Sequence, residues 1–214
     1  MIFLLFVSTD VRKIFKFEVI SMCNMKKNGA DGSCNFAKDN KMVTKRLDIV
    51  TDRVVKYMIA KHISLSAAES CTGGMISEKV TGVAGASAVY AGGVCSYSED
   101  VKERVLGVSR ETLDRFTVYS AETADEMSAG VMRLMRTDAA IGVTGIAGPG
   151  GGSEEKPVGT VYVSVRYKDK KTVRDLALYK EYEDPDREFI RIAASAEALE
   201  MLEQLLRGNE SEAN

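Results

Sequence analysis

Residues 63–80 read Ile-Ser-Leu-Ser-Ala-Ala-Glu-Ser-Cys-Thr-Gly-Gly-Met-Ile-Ser-Glu-Lys-Val. The apolar run from Ile63 to Ala68 has the length of a buried strand, Glu69 to Gly74 forms a tight turn, and Met75 to Val80 starts a helix. A turn of this kind lifts the Ser70 hydroxyl out of the sheet and aims backbone N–H groups at whatever lies before the helix. A nucleophile beside a ready oxyanion site needs that arrangement. The same residues also suit a plain helix cap, because Ser and Thr cap helices and glycines close turns. Both readings stay open at this point.

His62 is the single histidine of the chain and stands on the far side of the strand from Ser70. A strand of that length spans roughly 20 Å, which puts a Ser-His-Asp triad out of reach. A nucleophilic Ser70 would then take its base from a lysine, a tyrosine or a carboxylate. His62 itself reads as a solvated residue near a helix end.

Outward from this stretch the elements alternate. Leu47, Val50, Val54 and Met58 follow helical spacing, predicting an amphipathic helix over 44–61. Ala88 to Tyr97 is β-like, and Ser98 caps a helix with Glu99 and Asp100 in its first turn and Gly107 at its end. A short helix over 109–115 and a longer one over 121–136, capped by Ser120, lead to an apolar strand over 139–146. A glycine-rich loop, 147–157, separates it from a strand over 160–167. After a turn at 169–171 a strand over 172–182 returns, and so short a connection requires an antiparallel pair. Asp184 caps a last helix with Pro185 in its first turn, running to about Arg207, and Gly208 ends it. Helices alternating with strands and then a hairpin predict one α/β domain, with helices on both faces of a mixed sheet of about five strands.

The chain has 214 residues, 45% of them hydrophobic, enough to bury one proper core. Residues 1–42 carry seven Lys/Arg against four Asp/Glu, while the remainder is net acidic. An acidic main domain argues against a nucleic-acid surface. It leaves room for a small anionic ligand, which needs only local N–H groups and a cation or two. Cys23, Cys34, Cys71 and Cys95 form no CxxC and no His/Cys cluster, so no zinc site and no disulfide framework is expected. Reduced thiols in a cytosol fit best. Cys71 reads as a small buried apolar residue beside Ser70. Met1 to Val7 is too short for a membrane span and lacks the basic start of a signal peptide. Residues 1–42 read as an appendage, disordered or upstream of a true start at Met42; 43–208 form the domain and 209–214 a tail. A homo-oligomer such as a dimer is compatible with the chain.

Active sites of open α/β sheets gather at strand ends, which brings Tyr97, Ser98, Lys102 and the stretch Thr144–Gly152 toward Ser70. Lys102 reads two ways: as a base whose pKa is lowered by burial, or as a solvated lysine paired with Glu99. Tyr97 suits strand-end packing or a proton relay between Lys102 and Ser70. Six glycines among residues 142–152 carry a large cost in chain entropy, justified where backbone must approach a ligand closely, above all a phosphate. The loop matches neither a Walker A sequence nor the dinucleotide-binding GxGxxG context. Arg187, in the first turn of the last helix, opposes the helix dipole and needs an anion, either Asp186 or a ligand phosphate.

Together the motifs AESCTGG at 68–74, YS…K at 97–102 and TGIAGPGGGSEEKPVGTV at 144–161 resemble the CinA C-terminal family, the nicotinamide-nucleotide amidases. The resemblance covers about residues 45–206. It implies a three-layer α/β/α sandwich and hydrolysis of the carboxamide of nicotinamide mononucleotide to nicotinic acid mononucleotide and ammonia. Carried over, Ser70 would be the nucleophile, Lys102 the base and Tyr97 an assistant. Thr72, Gly73, Gly74, Thr144, Gly145, Gly148, Gly151, Gly152, Ser153 and Arg187 would line the substrate site, with Gly73 or Gly74 N–H holding the oxyanion. The chemistry requires no metal and no cofactor, and its partner is a small nucleotide substrate rather than nucleic acid or membrane. Family members also occur fused to a larger N-terminal domain; the resemblance covers none of it and implies no pyrophosphatase-type activity here. The rival readings are a non-enzymatic competence or recombination module, and an amidase or esterase for another small substrate.

Overall fold

The computed structural model describes residues 40–182 and 184–211. The appendage expected over 1–42 therefore lies outside the described residues, save for its last three, which open the first helix. That helix, α1 (Asn40–Lys61), starts four residues ahead of the predicted boundary. It is followed by β1 (Leu65–Glu69), α2 (Met75–Thr81), β2 (Tyr90–Cys95), α3 (Glu99–Leu106), α4 (Arg110–Phe116), α5 (Ala121–Met135) and β3 (Ala139–Gly145). The chain ends with β4 (Val161–Tyr167), β5 (Lys170–Asp175), α6 (Leu178–Glu181) and α7 (Arg187–Ser211).

The strands form one open sheet in the order β2-β1-β3-β4-β5. β1 runs parallel to both β2 and β3, whereas β4 is antiparallel to β3 and to β5. The fold is thus the expected α/β sandwich on a five-stranded mixed sheet. Central β1 and β3 are buried along their whole length, because helices cover both faces. Strand alternation then splits their side chains between two cores. Leu65, Ala67, Ile141 and Val143 join Val161, Val163 and Val165 of β4 under α1, α2 and α7. Ala68 and Ala140 face the smaller core with Leu106, Val108, Leu113, Met127 and Val131 of the opposite layer.

Ser98, Ser109 and Ser120 cap α3, α4 and α5, each accepting the N–H three residues on. Two expectations at the C-terminal end are corrected. The strand predicted over 172–182 stops at Asp175, because its partner β4 begins at Val161 and offers no further ladder. Leu176 N–H makes the last contact with β4, to Val161 O at 2.9 Å, and the chain then turns into α6. The cap of the last helix is Asp186 rather than Asp184: its carboxylate accepts the Phe189 N–H at 2.8 Å. α7 also continues through Gly208 to Ser211 instead of ending there. His62 is exposed just beyond α1, as expected. Among the described residues no helix is long and apolar enough to cross a membrane.

Candidate active site

Ser70 follows the last residue of β1 and still belongs to the sheet through its N–H, which donates to Val143 O of β3 at 3.0 Å. The chain then turns sharply through Gly73 and Gly74, at φ 62° and 92°. Both angles lie in the left-handed region that glycine adopts without penalty, so the turn can be tight enough to present Ser70 at the sheet's end.

The N-terminus of α2 is occupied from within. One carboxylate oxygen of buried Glu69 accepts the N–H groups of Gly74 and Ile76, both at 3.0 Å. The other accepts the Ser77 N–H at 2.9 Å and the Ser77 hydroxyl at 2.6 Å. Gly73 N–H is also engaged, donating to Ser70 O at 3.1 Å. The expectation that Gly73 or Gly74 holds an oxyanion is therefore corrected: an internal anion already satisfies the helix start. The sequence carries no signal for this role of Glu69, because a carboxylate at the end of an apolar run reads as a strand end rather than as a cap for the helix that follows.

Lys102 is 2% exposed. Its Nζ donates to Ser70 Oγ at 3.0 Å and to the Ser96 carbonyl at 2.6 Å. The solvated reading of this residue is thereby excluded, and Glu99 turns toward Arg110 instead, at 3.6 Å. Burial lowers the Lys102 pKa below its ordinary 10.5, against weaker opposing pulls led by the Cys71 thiol. The same burial pushes the Cys71 thiol up to about 12, which leaves it protonated and a poor nucleophile.

A cleft of about 290 Å³ opens over this pair, lined by Ser70, Cys71, Lys102, Tyr97, Glu99, Val118, Tyr119, Arg187 and the first arm of the glycine-rich loop. Of the residues expected there, Ser70, Lys102, Tyr97, Gly145, Gly148 and Arg187 line it. Arg187 spans the opening, donating to Gly148 O at 2.6 Å and to the Tyr97 hydroxyl at 2.8 Å. Among the described residues no carboxylate pairs with its guanidinium. Tyr97 is 64% exposed, and its hydroxyl serves Arg187. A relay from Lys102 to Ser70 through Tyr97 has no place, since amine and hydroxyl already touch.

The other expected residues lie off the cleft lining. Thr72 has its carbonyl held by Arg191 at 2.9 Å and a buried hydroxyl without a hydrogen-bond partner among the described residues. Gly73 and Gly74 shape the turn behind Ser70. Thr144 is fully buried and donates to Val118 O at 2.7 Å, so it supports the wall rather than forming it. Gly151, Gly152 and Ser153 are exposed on the outer arm of the loop. Val118 and Tyr119 lie in the connection between short α4 and longer α5, with no sequence motif to mark them. Arg191 stands four residues after Arg187, a spacing that could have flagged it as a neighbour on the same helix face. Among the described residues no three His, Cys, Asp or Glu side chains cluster so as to hold a metal ion.

Comparison with known proteins agrees with this fold. A family model described as the CinA C-terminal domain matches residues 47–206. A CinA-like protein of Thermotoga maritima is 41% identical over 158 residues, covering 73% of this chain and 37% of the relative. A CinA-like protein of Leptospira borgpetersenii is 44% identical over 129 residues, covering 60% of this chain and 31% of the relative. The chain spans less than half the length of the curated relatives it matches. The crystal structure of the competence/damage inducible protein CihA from Agrobacterium tumefaciens has a TM-score of 0.72 at 39% identity, covering 75% of this chain and 96% of that one. A CinA-superfamily structure from Escherichia coli has a TM-score of 0.69 at 28% identity, covering 74% of this chain and 90% of that one.

Proposed function

The chain belongs to the CinA C-terminal domain family, and from that premise we propose that it hydrolyses the carboxamide of nicotinamide mononucleotide, giving nicotinic acid mononucleotide and ammonia. One observation carries the reading: a buried lysine amine lies 3.0 Å from a serine hydroxyl at the floor of an open cleft. A surface lysine would stay protonated at neutral pH. Buried Lys102 is shifted toward the neutral amine, which can accept the Ser70 proton as the oxygen attacks the amide carbon.

The developing oxyanion needs a donor at the turn. The Cys71 N–H, first after the nucleophile, suits this role: it has no oxygen acceptor among the described residues, and Cys71 lines the cleft. Protonated Lys102 then passes its proton to the leaving nitrogen. The C–N bond breaks, ammonia departs and an ester on Ser70 remains. Water attacks that ester with Lys102 again as base, restoring the serine and releasing the acid. Arg187 and the glycine-rich loop provide for the substrate's phosphate. Among the described residues the guanidinium is held by a carbonyl and a hydroxyl and by no carboxylate, which keeps its charge available for an anion. Tyr97 orients that guanidinium.

The test is ammonia release from nicotinamide mononucleotide by the purified full chain, with EDTA present, beside Ser70→Ala. Loss of a serine nucleophile reduces kcat on the order of 10⁴ to 10⁶. A variant with undiminished turnover would remove Ser70 from the chemistry. Turnover of a non-nucleotide amide, with none of the mononucleotide, would replace the substrate.

A further inference from the structure

Lys156 uses its ammonium in a way that no step of the reaction calls for. Its Nζ donates to Tyr119 O at 2.8 Å, to Thr117 Oγ1 at 3.0 Å and to Phe116 O at 3.3 Å. Three acceptors match the three protons of an ammonium group. The segment it grips, 116–119, joins α4 to α5 and supplies Val118 and Tyr119 to the cleft lining.

Lys156 itself stands on the outer arm of the glycine-rich loop, whose inner arm lines the same cleft. It is fixed there by Ser153: Ser153 N–H donates to Lys156 O at 2.9 Å, and Lys156 N–H donates to Ser153 Oγ at 3.1 Å. The other two carbonyls of the segment are also held by side chains. Thr117 O accepts from Ser120 Oγ and Thr123 Oγ1, and Val118 O accepts from Thr144 Oγ1. Thr117 has φ 69°, in the left-handed region that a β-branched residue adopts only when its surroundings impose it. Segment 116–119 is thus held in an unfavourable shape by side-chain donors, and Lys156 is the donor that ties it to the glycine-rich loop.

We propose that Lys156 is a positioning residue that sets the spacing between the 116–119 wall and the glycine-rich loop, and so the fit of the cleft to its substrate. This rests on the amidase reading for the substrate used in the test. Ser70 and Lys102 are placed by β1 and α3, so release of the wall leaves nucleophile and base in contact. Binding common to ground and transition states weakens instead, which raises KM and leaves kcat in place.

The test compares Lys156→Met, which removes the donors and keeps the apolar stem, with Lys156→Arg, which restores charge and several N–H groups. In the full chain Lys156→Met raises KM for nicotinamide mononucleotide about tenfold with kcat within about twofold, on the scale of one or two charge-assisted hydrogen bonds. Lys156→Arg recovers most of the loss. An unchanged KM, or a fall in kcat at constant KM, overturns the proposal. Backbone amide exchange on the free protein needs no substrate. Faster exchange in Lys156→Met confined to 116–120 and 145–158 supports the tie even if the wild-type protein turns over no mononucleotide, a result that sinks the amidase reading alone. Unchanged exchange there overturns the proposal, and so does unfolding of the whole chain in Lys156→Met.

Discussion

Lys102, itself almost fully buried, meets two neutral oxygens, Ser70 Oγ and Ser96 O. With the amine's pKa lowered by burial, the fraction able to act as a base rises with pH. The expected kcat/KM therefore climbs with pH and levels off at the lowered pKa of Lys102. Folding carries the matching sign. The folded pKa lies below the unfolded one, so between the two values the unfolded chain binds more protons and stability rises with pH. In Lys102→Met that slope disappears from a plot of Tm against pH, and turnover goes with it. Full turnover by Lys102→Met across about pH 6–9 would show that another group is the base. Ser70 was legible in the sequence because strand, turn and helix start are local signals. The inward aim of Lys102 was not, since its spacing from Glu99 equally suits a surface pair. The use of Gly74 N–H was hidden as well, because nothing local announces that Glu69 folds back over the helix start.

At the scale of elements, α3, the helix that carries Lys102, lies tightly against α5. Gly130 of α5 makes that approach feasible: a Cβ placed there would lie 1.9 Å from the Leu106 carbonyl oxygen at the end of α3. No rotamer relieves a clash with backbone, so Gly130→Ala must push the two helices apart. The expected cost is about 1–3 kcal/mol in denaturant unfolding, as for other overpacked sites. kcat should fall too, since α3 carries Lys102 with it. Destabilisation with kcat intact would mean that α3 shifts as a whole without parting Lys102 from Ser70. Caps at Ser98 and Ser120 made two of the helix starts readable. The end of β5 was unreadable because it is set by where β4 begins, a pairing on another strand. The contact of α3 with α5 is likewise a long-range property, visible in the sequence only as an unexplained glycine within a helix.

Across the whole molecule, the layer behind the site is fastened by charge as well as by apolar packing. Buried Arg46 of α1 donates to Glu197 and Glu200 of α7, and Arg53 bonds Glu203 one stage further along. α7 also carries Arg187 to the cleft mouth and Arg191 to the Thr72 carbonyl, so its seating fixes two sides of the site at once. Arg46→Leu would leave two carboxylates buried without their shared cation, and breaking such a pair costs about 3–5 kcal/mol. Replacing all three residues by leucine removes both carboxylates together with their shared cation and should recover most of that loss, since apolar substitution of a whole buried ion cluster is often neutral or stabilising. Denaturant unfolding of the single and triple variants measures both effects. A triple variant no more stable than Arg46→Leu would show that the cluster contributes more than the mutual neutralisation of its charges. No residue of α1 lines the cleft, so KM and kcat of the folded triple variant should match the wild type. A shift in KM would instead reveal that the cluster sets where α7 holds Arg187.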